Sequence, residues 1–204
     1  MIIRAVVFDI GGVLEITPDL GLTENWEQRL HLKPGEMDER MGSLWNDGSL
    51  GKCTLEDVVR GLREHLGMNQ VQIDDFLHDL WTEYLGQPNS ELIDYFRGLR
   101  LRYQTALLSN SFVGAREKEQ ERYQFAEMCD LIIYSHEEGI AKPDRRIYEL
   151  TCERLGVQPA EMIFLDDVER CIAAARESGI HAILFQNTAQ AIADIEACLQ
   201  ASMP

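Results

Sequence analysis

Five short runs rich in β-branched and other apolar residues punctuate the chain: Ile2–Phe8, Thr105–Leu108, Leu131–Tyr134, Met162–Leu165 and Ala182–Phe185. Four of them carry almost no polar residue on either face. A strand with one face in water alternates apolar and polar side chains, so an unbroken apolar run implies cover on both sides. Central strands of a parallel sheet have that cover. Between the runs lie segments of helical period, Ser90–Leu99, Arg145–Leu155 and Glu169–Ser178, the last ended by Gly179. Strand–helix alternation of this kind predicts a doubly wound α/β fold.

The stretch from Pro18 to Gln87 reads differently. It holds amphipathic helical patterns at Leu22–Leu30, Leu55–Leu66 and Ile73–Leu85, and no convincing strand. Thr54 with Asp57 three residues on marks a helix N-terminus of the capping-box type. A block this long exceeds a simple crossover connection. The expected organisation is therefore a Rossmann-like core of residues 1–16 and 88–204 with an all-helical cap, 17–87, inserted after the first strand. Leu14–Thr17 and Gln87–Asn89 are the expected crossing points. Trp45-Asn46-Asp47-Gly48 reads as a turn between cap helices, and the charged run Arg116–Arg122 as a solvated helix face.

With 204 residues the chain can bury a substantial core without a disulfide or structural metal. Its formal net charge of −16 repels phosphate backbones and anionic lipid heads, which argues against nucleic acid and membrane partners. A small anionic substrate then needs a locally neutralised pocket. Cys53, Cys129, Cys152, Cys171 and Cys198 show no C-x-x-C pair and fit neither a zinc site nor a disulfide framework, so reduced and mostly buried thiols are expected. The first residues run straight into an apolar strand with no signal-peptide layout, and no stretch approaches the ~20 apolar residues of a membrane span. A cytoplasmic protein is the expectation; composition says nothing of its oligomeric state.

In α/β sheets ligands gather at the carboxyl ends of the strands. The residues due there are Asp9 after the first strand, Ser109 and Asn110 after the second, and Asp166–Asp167 after the fourth. Lys142 lies in the loop following the third. Any one of these alone has an ordinary reading: Asp9 or the acidic pair as a helix N-cap, Lys142 as a solvent lysine, His136 as a surface or core histidine. Together, three carboxylates, a hydroxyl and a lysine converging on one edge suit Mg²⁺ and phosphate. Gly11 and Gly12 would let the backbone turn tightly enough for its amides to face the phosphate.

Phe8-Asp9-Ile10-Gly11-Gly12-Val13-Leu14, Leu108-Ser109-Asn110-Ser111, Ser135–Asp144 with its Ala141-Lys142-Pro143 segment, and Phe164-Leu165-Asp166-Asp167 resemble the four ordered motifs of the haloacid dehalogenase-like hydrolases. The helical insertion falls where that family carries its helical cap. The resemblance implies a Mg²⁺-dependent phosphatase acting on a small phosphorylated metabolite, with a sugar phosphate as one reading. Asp9 would be the nucleophile and a metal ligand, and Gly11 would offer its backbone carbonyl to the metal. Ser109, Asn110 and Lys142 would hold the phosphoryl group, with Lys142 also neutralising Asp9. Asp167 would bind Mg²⁺ directly, Asp166 directly or through water.

Two departures stand out. Most phosphatases of the family carry aspartate two residues after the nucleophile as general acid and base; here it is Gly11, as in some branches that include sugar-phosphate phosphatases. Related chains also follow the acidic pair with asparagines, where this one has Val168 and Cys171. Gly11 keeps open a catalytically weak relative that binds a phosphorylated ligand as a regulatory module. A metal-free dehalogenase also lacks the second aspartate, but it would leave Asp166–Asp167 without a cation. A receiver domain would place the acidic pair first and the lysine last, the reverse of this order.

Overall fold

The computed structural model describes residues 2–202. Met1, Met203 and Pro204, which the expected core range includes, lie outside the described residues. The chain enters through strand β1 (Ala5–Phe8) and the two-residue strand β2 (Glu15–Ile16). Four helices follow, α1 (Leu22–Arg29), α2 (Glu36–Ser49), α3 (Leu55–Leu66) and α4 (Gln70–Leu85), and strand β3 (Gln87–Pro88) leads back. Then come α5 (Ser90–Leu99), β4 (Gln104–Ser109), α6 (Ala115–Tyr123), β5 (Leu131–Tyr134) and α7 (Ser135–Glu138). The order closes with α8 (Arg145–Leu155), β6 (Met162–Asp166), α9 (Glu169–Glu177), β7 (His181–Leu184) and α10 (Thr188–Ala201).

The main sheet has five parallel strands in the order β5-β4-β1-β6-β7. All four residues of β1 and all five of β6 are buried, the cover that their unbroken apolar runs call for. One apolar layer forms around Phe8, Phe96, Leu107 and Ile195, the other around Val7, Leu108, Ile147 and Phe164. The chain builds outward from β1 to β4 and β5, then returns to build β6 and β7 on the other side. The strand order thus reverses at β1, and the crevice at such a switch point is where α/β sheets bind ligands.

Helices α1–α4 pack on a core of their own, with Trp26, Met41, Leu62 and Phe76 at its centre. They leave and rejoin the sheet through the antiparallel pair β2–β3, with Ile16 opposite Gln87. Gly86 closes this neck at φ 56°, and a Cβ there would lie 2.4 Å from the Ile16 carbonyl oxygen. Only glycine fits. The Thr54–Asp57 capping box forms as expected, and Asn69 with Gln72 makes a second at the start of α4.

Two expectations are corrected. Trp45–Gly48 is not a turn but the last part of α2. Gly42, Asn46, Asp47 and Gly48 are weak helix formers, and burial of Met37 and Met41 overrides them. The run Arg116–Arg122 is helical but not wholly solvated, because Glu119 is fully buried. The five cysteines are free thiols and three of them are buried. No helix among the described residues is long and apolar enough to cross a membrane.

Candidate active site

Asp9 is the first residue past β1; Ser109 ends β4, Asp166 ends β6 and Asp167 follows it. Strands β4 and β6 flank β1 in register, with Phe8 opposite both Leu107 and Leu165. These strand ends therefore deliver their polar residues to one edge of the sheet. Lys142, from the loop between α7 and α8, reaches the same point. Its Nζ lies 2.8 Å from Asp9 Oδ1 and 2.7 Å from Asp166 Oδ2, and its side chain is almost wholly buried.

An ammonium taken out of water is tolerated only when it is paired. Burial works against the charge on Lys142, but Asp9 and Asp166 outweigh it and hold the amine above its usual range. The carboxylates feel the opposite pressure. Burial, reinforced by the charge of Asp166 and opposed by Lys142, pushes Asp9 up to about 7. Burial and Asp166 likewise raise Asp167.

Each group is oriented by the backbone around it. Asp9 Oδ1 accepts from Ile10 N at 2.8 Å as well as from Lys142, and its Oδ2 has no partner among the described residues. Asp166 Oδ1 accepts from Val168 N at 2.7 Å while Oδ2 accepts from Lys142, which occupies both of its oxygens. Asn110 clamps the lysine loop. Its Oδ1 accepts from Lys142 N and its Nδ2 donates to Lys142 O, each at 2.8 Å. The clamp uses one Nδ2 hydrogen of Asn110 and leaves the other free. Ser109 is buried under the edge, with no hydrogen bond to its hydroxyl among the described residues.

The two glycines differ. Gly12 sits at φ 74°, and a Cβ there would fall 2.1 Å from Asp167 Oδ2. Gly11 is outside the left-handed region, and nothing lies within 4 Å of where its Cβ would be. The tight approach belongs to Gly12 alone.

Oxygens of Asp9, Asp166 and Asp167 all lie within 4.8 Å of one another. Three carboxylates against one ammonium leave two negative charges uncompensated when all are ionised. Burial raises Asp9 and Asp167, and the neighbouring charge of Asp166 adds to it. A divalent cation with a preference for oxygen ligands matches both the donor set and the missing charge.

Several residues near this edge carry no signal in the sequence. Ser111 Oγ lies 2.6 Å from His136 Nδ1, a pair formed between the loop after β4 and α7. Glu15, from β2, is buried with neither carboxylate oxygen hydrogen-bonded among the described residues. Burial and the neighbouring Glu119 push it up to about 10. Glu119, whose carboxylate accepts from the Tyr134 hydroxyl, is raised by burial to about 7. An inward phase beside Val13 and Leu14 was the only available hint for Glu15; within Arg116–Arg122 nothing singles out Glu119.

A pocket of about 450 Å³ opens beside Asn110 and Ala141, between the loop after β4 and helices α1, α2 and α4. A larger cleft, about 810 Å³, lies between α4 and α6 and touches none of the candidate site residues.

Comparison with known proteins bears on this geometry. The profile of the haloacid dehalogenase-like hydrolases matches residues 3–179. Acyl-CoA dehydrogenase family member 10 of Mus musculus is 30% identical over 96% of this chain, which spans only 19% of that protein. D-ribitol-5-phosphate phosphatase of Bacteroides thetaiotaomicron is 24% identical, over 92% of this chain and 94% of that one. A haloacid dehalogenase family enzyme from the same bacterium, solved with magnesium and inorganic phosphate, superposes with a TM-score of 0.77. It is 24% identical and the match covers 90% of this chain and 94% of the other.

Proposed function

This chain belongs to the haloacid dehalogenase-like hydrolases, and from that membership we propose that it is a Mg²⁺-dependent phosphatase, hydrolysing a small phosphomonoester through an aspartyl phosphate on Asp9. One observation carries the reading: the buried Lys142 ammonium bridges Asp9 and Asp166, with Asp167 close enough to share an ion with both. The magnesium and phosphate bound by the Bacteroides enzyme, and the activity in the name of the D-ribitol-5-phosphate phosphatase, support it further. Residues 1–16 and 88–204 act as the hydrolase core, and 17–87 as the cap.

Asp9 Oδ2 is the nucleophile. Oδ1 is pinned by Ile10 N and Lys142, so the second oxygen is the one aimed at an incoming phosphorus. Its attack forms the acyl phosphate and breaks the bond to the ester oxygen, splitting hydrolysis into two easier steps. An ammonium has three donors; two of those on Lys142 hold carboxylates, and the third serves a phosphoryl oxygen. The Ser109 hydroxyl and the Asn110 backbone N–H serve the others. Water then attacks the phosphorus of the acyl phosphate, releasing inorganic phosphate and restoring the Asp9 carboxylate.

Asp9, Asp167 and the Gly11 carbonyl would hold Mg²⁺ directly. Asp166, each of whose oxygens keeps a free lone pair, would hold it directly or through water. When bound, Mg²⁺ supplies charge neutralisation at the phosphoryl oxygens. Gly11 offers no carboxyl to protonate the departing oxygen, so turnover is expected to rise with the stability of the leaving group as an anion. The direct test is phosphate release from a panel of phosphomonoesters with Mg²⁺, wild type against Asp9→Asn. Release by the wild type that vanishes in the variant supports the reading, and equal release by both removes it.

A further inference from the structure

Resting on the phosphatase reading, the geometry points to a substrate class: the phosphate monoester of an apolar alcohol or phenol, its organic part seated in the 450 Å³ pocket beside Asn110. The pocket is lined by Ala141 of the lysine loop and by Asn110, which clamps that loop, so a phosphoryl group at Lys142 has its ester substituent beside it. At a share of about 30 Å³ per water-sized group, that volume holds on the order of 15 non-hydrogen atoms.

Much of the wall is apolar. Met37 and Trp45 come from α2, Phe76 and Leu80 from α4, and Phe112 from the loop after β4. Trp45 stacks on Phe76 with centroids 6.2 Å apart and meets Phe112 edge-on at 5.9 Å. Gly48 lets Phe112 close on α2, since a Cβ there would lie 2.3 Å from its ring.

A sugar phosphate makes demands these walls meet at few points. It carries roughly one hydroxyl per carbon, and each one buried without a partner costs about 1–3 kcal/mol. The serine hydroxyls of the lining are already engaged within the protein, which leaves the Thr23 hydroxyl and the Asp38 carboxylate as its unengaged side-chain polar groups at the cap side. Ser49 Oγ donates to Trp45 O, Ser135 Oγ donates to Ser49 O, and Ser111 Oγ pairs with His136. The lining contains no lysine or arginine, and its single charged side chain is the carboxylate of Asp38. A second anionic group on the substrate, such as another phosphate, would find no counter-charge. The balance of the lining therefore favours an apolar monoester over a sugar phosphate.

The test is calorimetric titration, in Mg²⁺, of the full chain with a series of non-hydrolysable n-alkylphosphonates from methyl to decyl. Affinity is expected to tighten about two- to fourfold per added methylene until the pocket is full, then level off. Trp45→Ala should flatten that slope and Trp45→Phe should largely restore it. A series without chain-length dependence overturns the inference, as does a slope indifferent to Trp45→Ala. Tighter inhibition of turnover by a sugar phosphonate than by decylphosphonate would also overturn it. Acetyl phosphate, too small to reach the pocket walls, reads the underlying reaction separately. Release from acetyl phosphate with a flat series removes the apolar class and keeps the phosphatase. A rising series with no release from any ester keeps the apolar pocket and removes the phosphatase.

Discussion

The Lys142 ammonium lies 2.8 Å from the Asp9 carboxylate, and neither side chain has more than marginal access to water. The lysine is at once a phosphate ligand in the proposed reaction and the charge that lets Asp9 and Asp166 be buried together. Removing it leaves two facing carboxylates without a cation. Lys142→Ala is therefore expected to abolish turnover and to lower stability by about 3–5 kcal/mol in metal-free buffer. Urea denaturation with chelator present measures the second effect. A loss under about 1 kcal/mol would mean the carboxylates find other relief.

Asp9→Asn keeps the shape of the side chain and removes the nucleophile. Turnover should drop by at least ~10³-fold, the scale of an effect that removes a covalent step, while the circular dichroism spectrum stays that of the wild type. Acid-quenched protein should retain labelled phosphate in the wild type and none in the variant. Trapped label in the variant would place the covalent step on another residue.

Stripping divalent ions with a chelator should silence phosphate release, and Mg²⁺ should restore it. Ca²⁺, larger and tolerant of irregular coordination, should bind and compete without supporting the rate. Asp167→Ala should weaken Mg²⁺ binding by at least tenfold in calorimetry. Full activity in excess chelator would instead favour metal-free chemistry.

Gly11→Asp and Gly12→Ala separate two neighbouring glycines. Gly11 has open space and an ordinary backbone, so Gly11→Asp should fold with wild-type stability. If the missing acid limits turnover, the variant should hydrolyse alkyl esters about 10²-fold faster or more, with little gain on aryl esters. Gly12→Ala meets Asp167 at a left-handed backbone and should cost roughly 1–2 kcal/mol together with Mg²⁺ affinity. Equal tolerance of both substitutions would contradict the geometry of this turn. A Gly11→Asp protein that binds Mg²⁺ but gains nothing on alkyl esters, beside a wild type silent on all of them, would favour a phospho-ligand-binding module.

Glu15 and Glu119 supply a pH dependence of stability. Both folded-state values are raised above the unfolded carboxyl value near 4.5, to about 10 and about 7, with burial as the first cause. Asp9, Arg116, Arg122, Tyr84 and Tyr134 are the other groups acting on the pair. A raised carboxyl favours folding fully only below the unfolded value, and its contribution is lost as pH rises through the folded one. Wild-type stability should therefore fall between pH 5 and 9. Glu15→Gln, which stays neutral, should lose less across that window by roughly 1–3 kcal/mol. Parallel pH profiles for the two proteins would show that Glu15 is charged and compensated.

The strand pattern and the order of the four polar clusters were legible in the sequence because each is a local signal. Unbroken apolar runs encode a strand covered on both faces, and in a parallel sheet the residue after each run must arrive at the same edge. Asp9, Ser109 and Asp166–Asp167 could be placed on that logic alone, and so could the Thr54–Asp57 cap. Only the tertiary structure decided what those residues do to one another. The Lys142 bridge, the Asn110 clamp and the Ser111–His136 pair join positions far apart in the chain, and no spacing rule connects them. The end of α2 was misread because Asn46, Asp47 and Gly48 favour a turn in isolation, whereas buried Met37 and Met41 and the packing of Trp45 on Phe76 and Phe112 hold them in a helix. Glu119 was lost among like residues, since burial depends on which side of α6 meets the sheet, and a run with charge all around carries no record of that. Pocket chemistry is the extreme case: its walls come from segments scattered between Leu22 and Ala141, and their apolar character exists only where they meet.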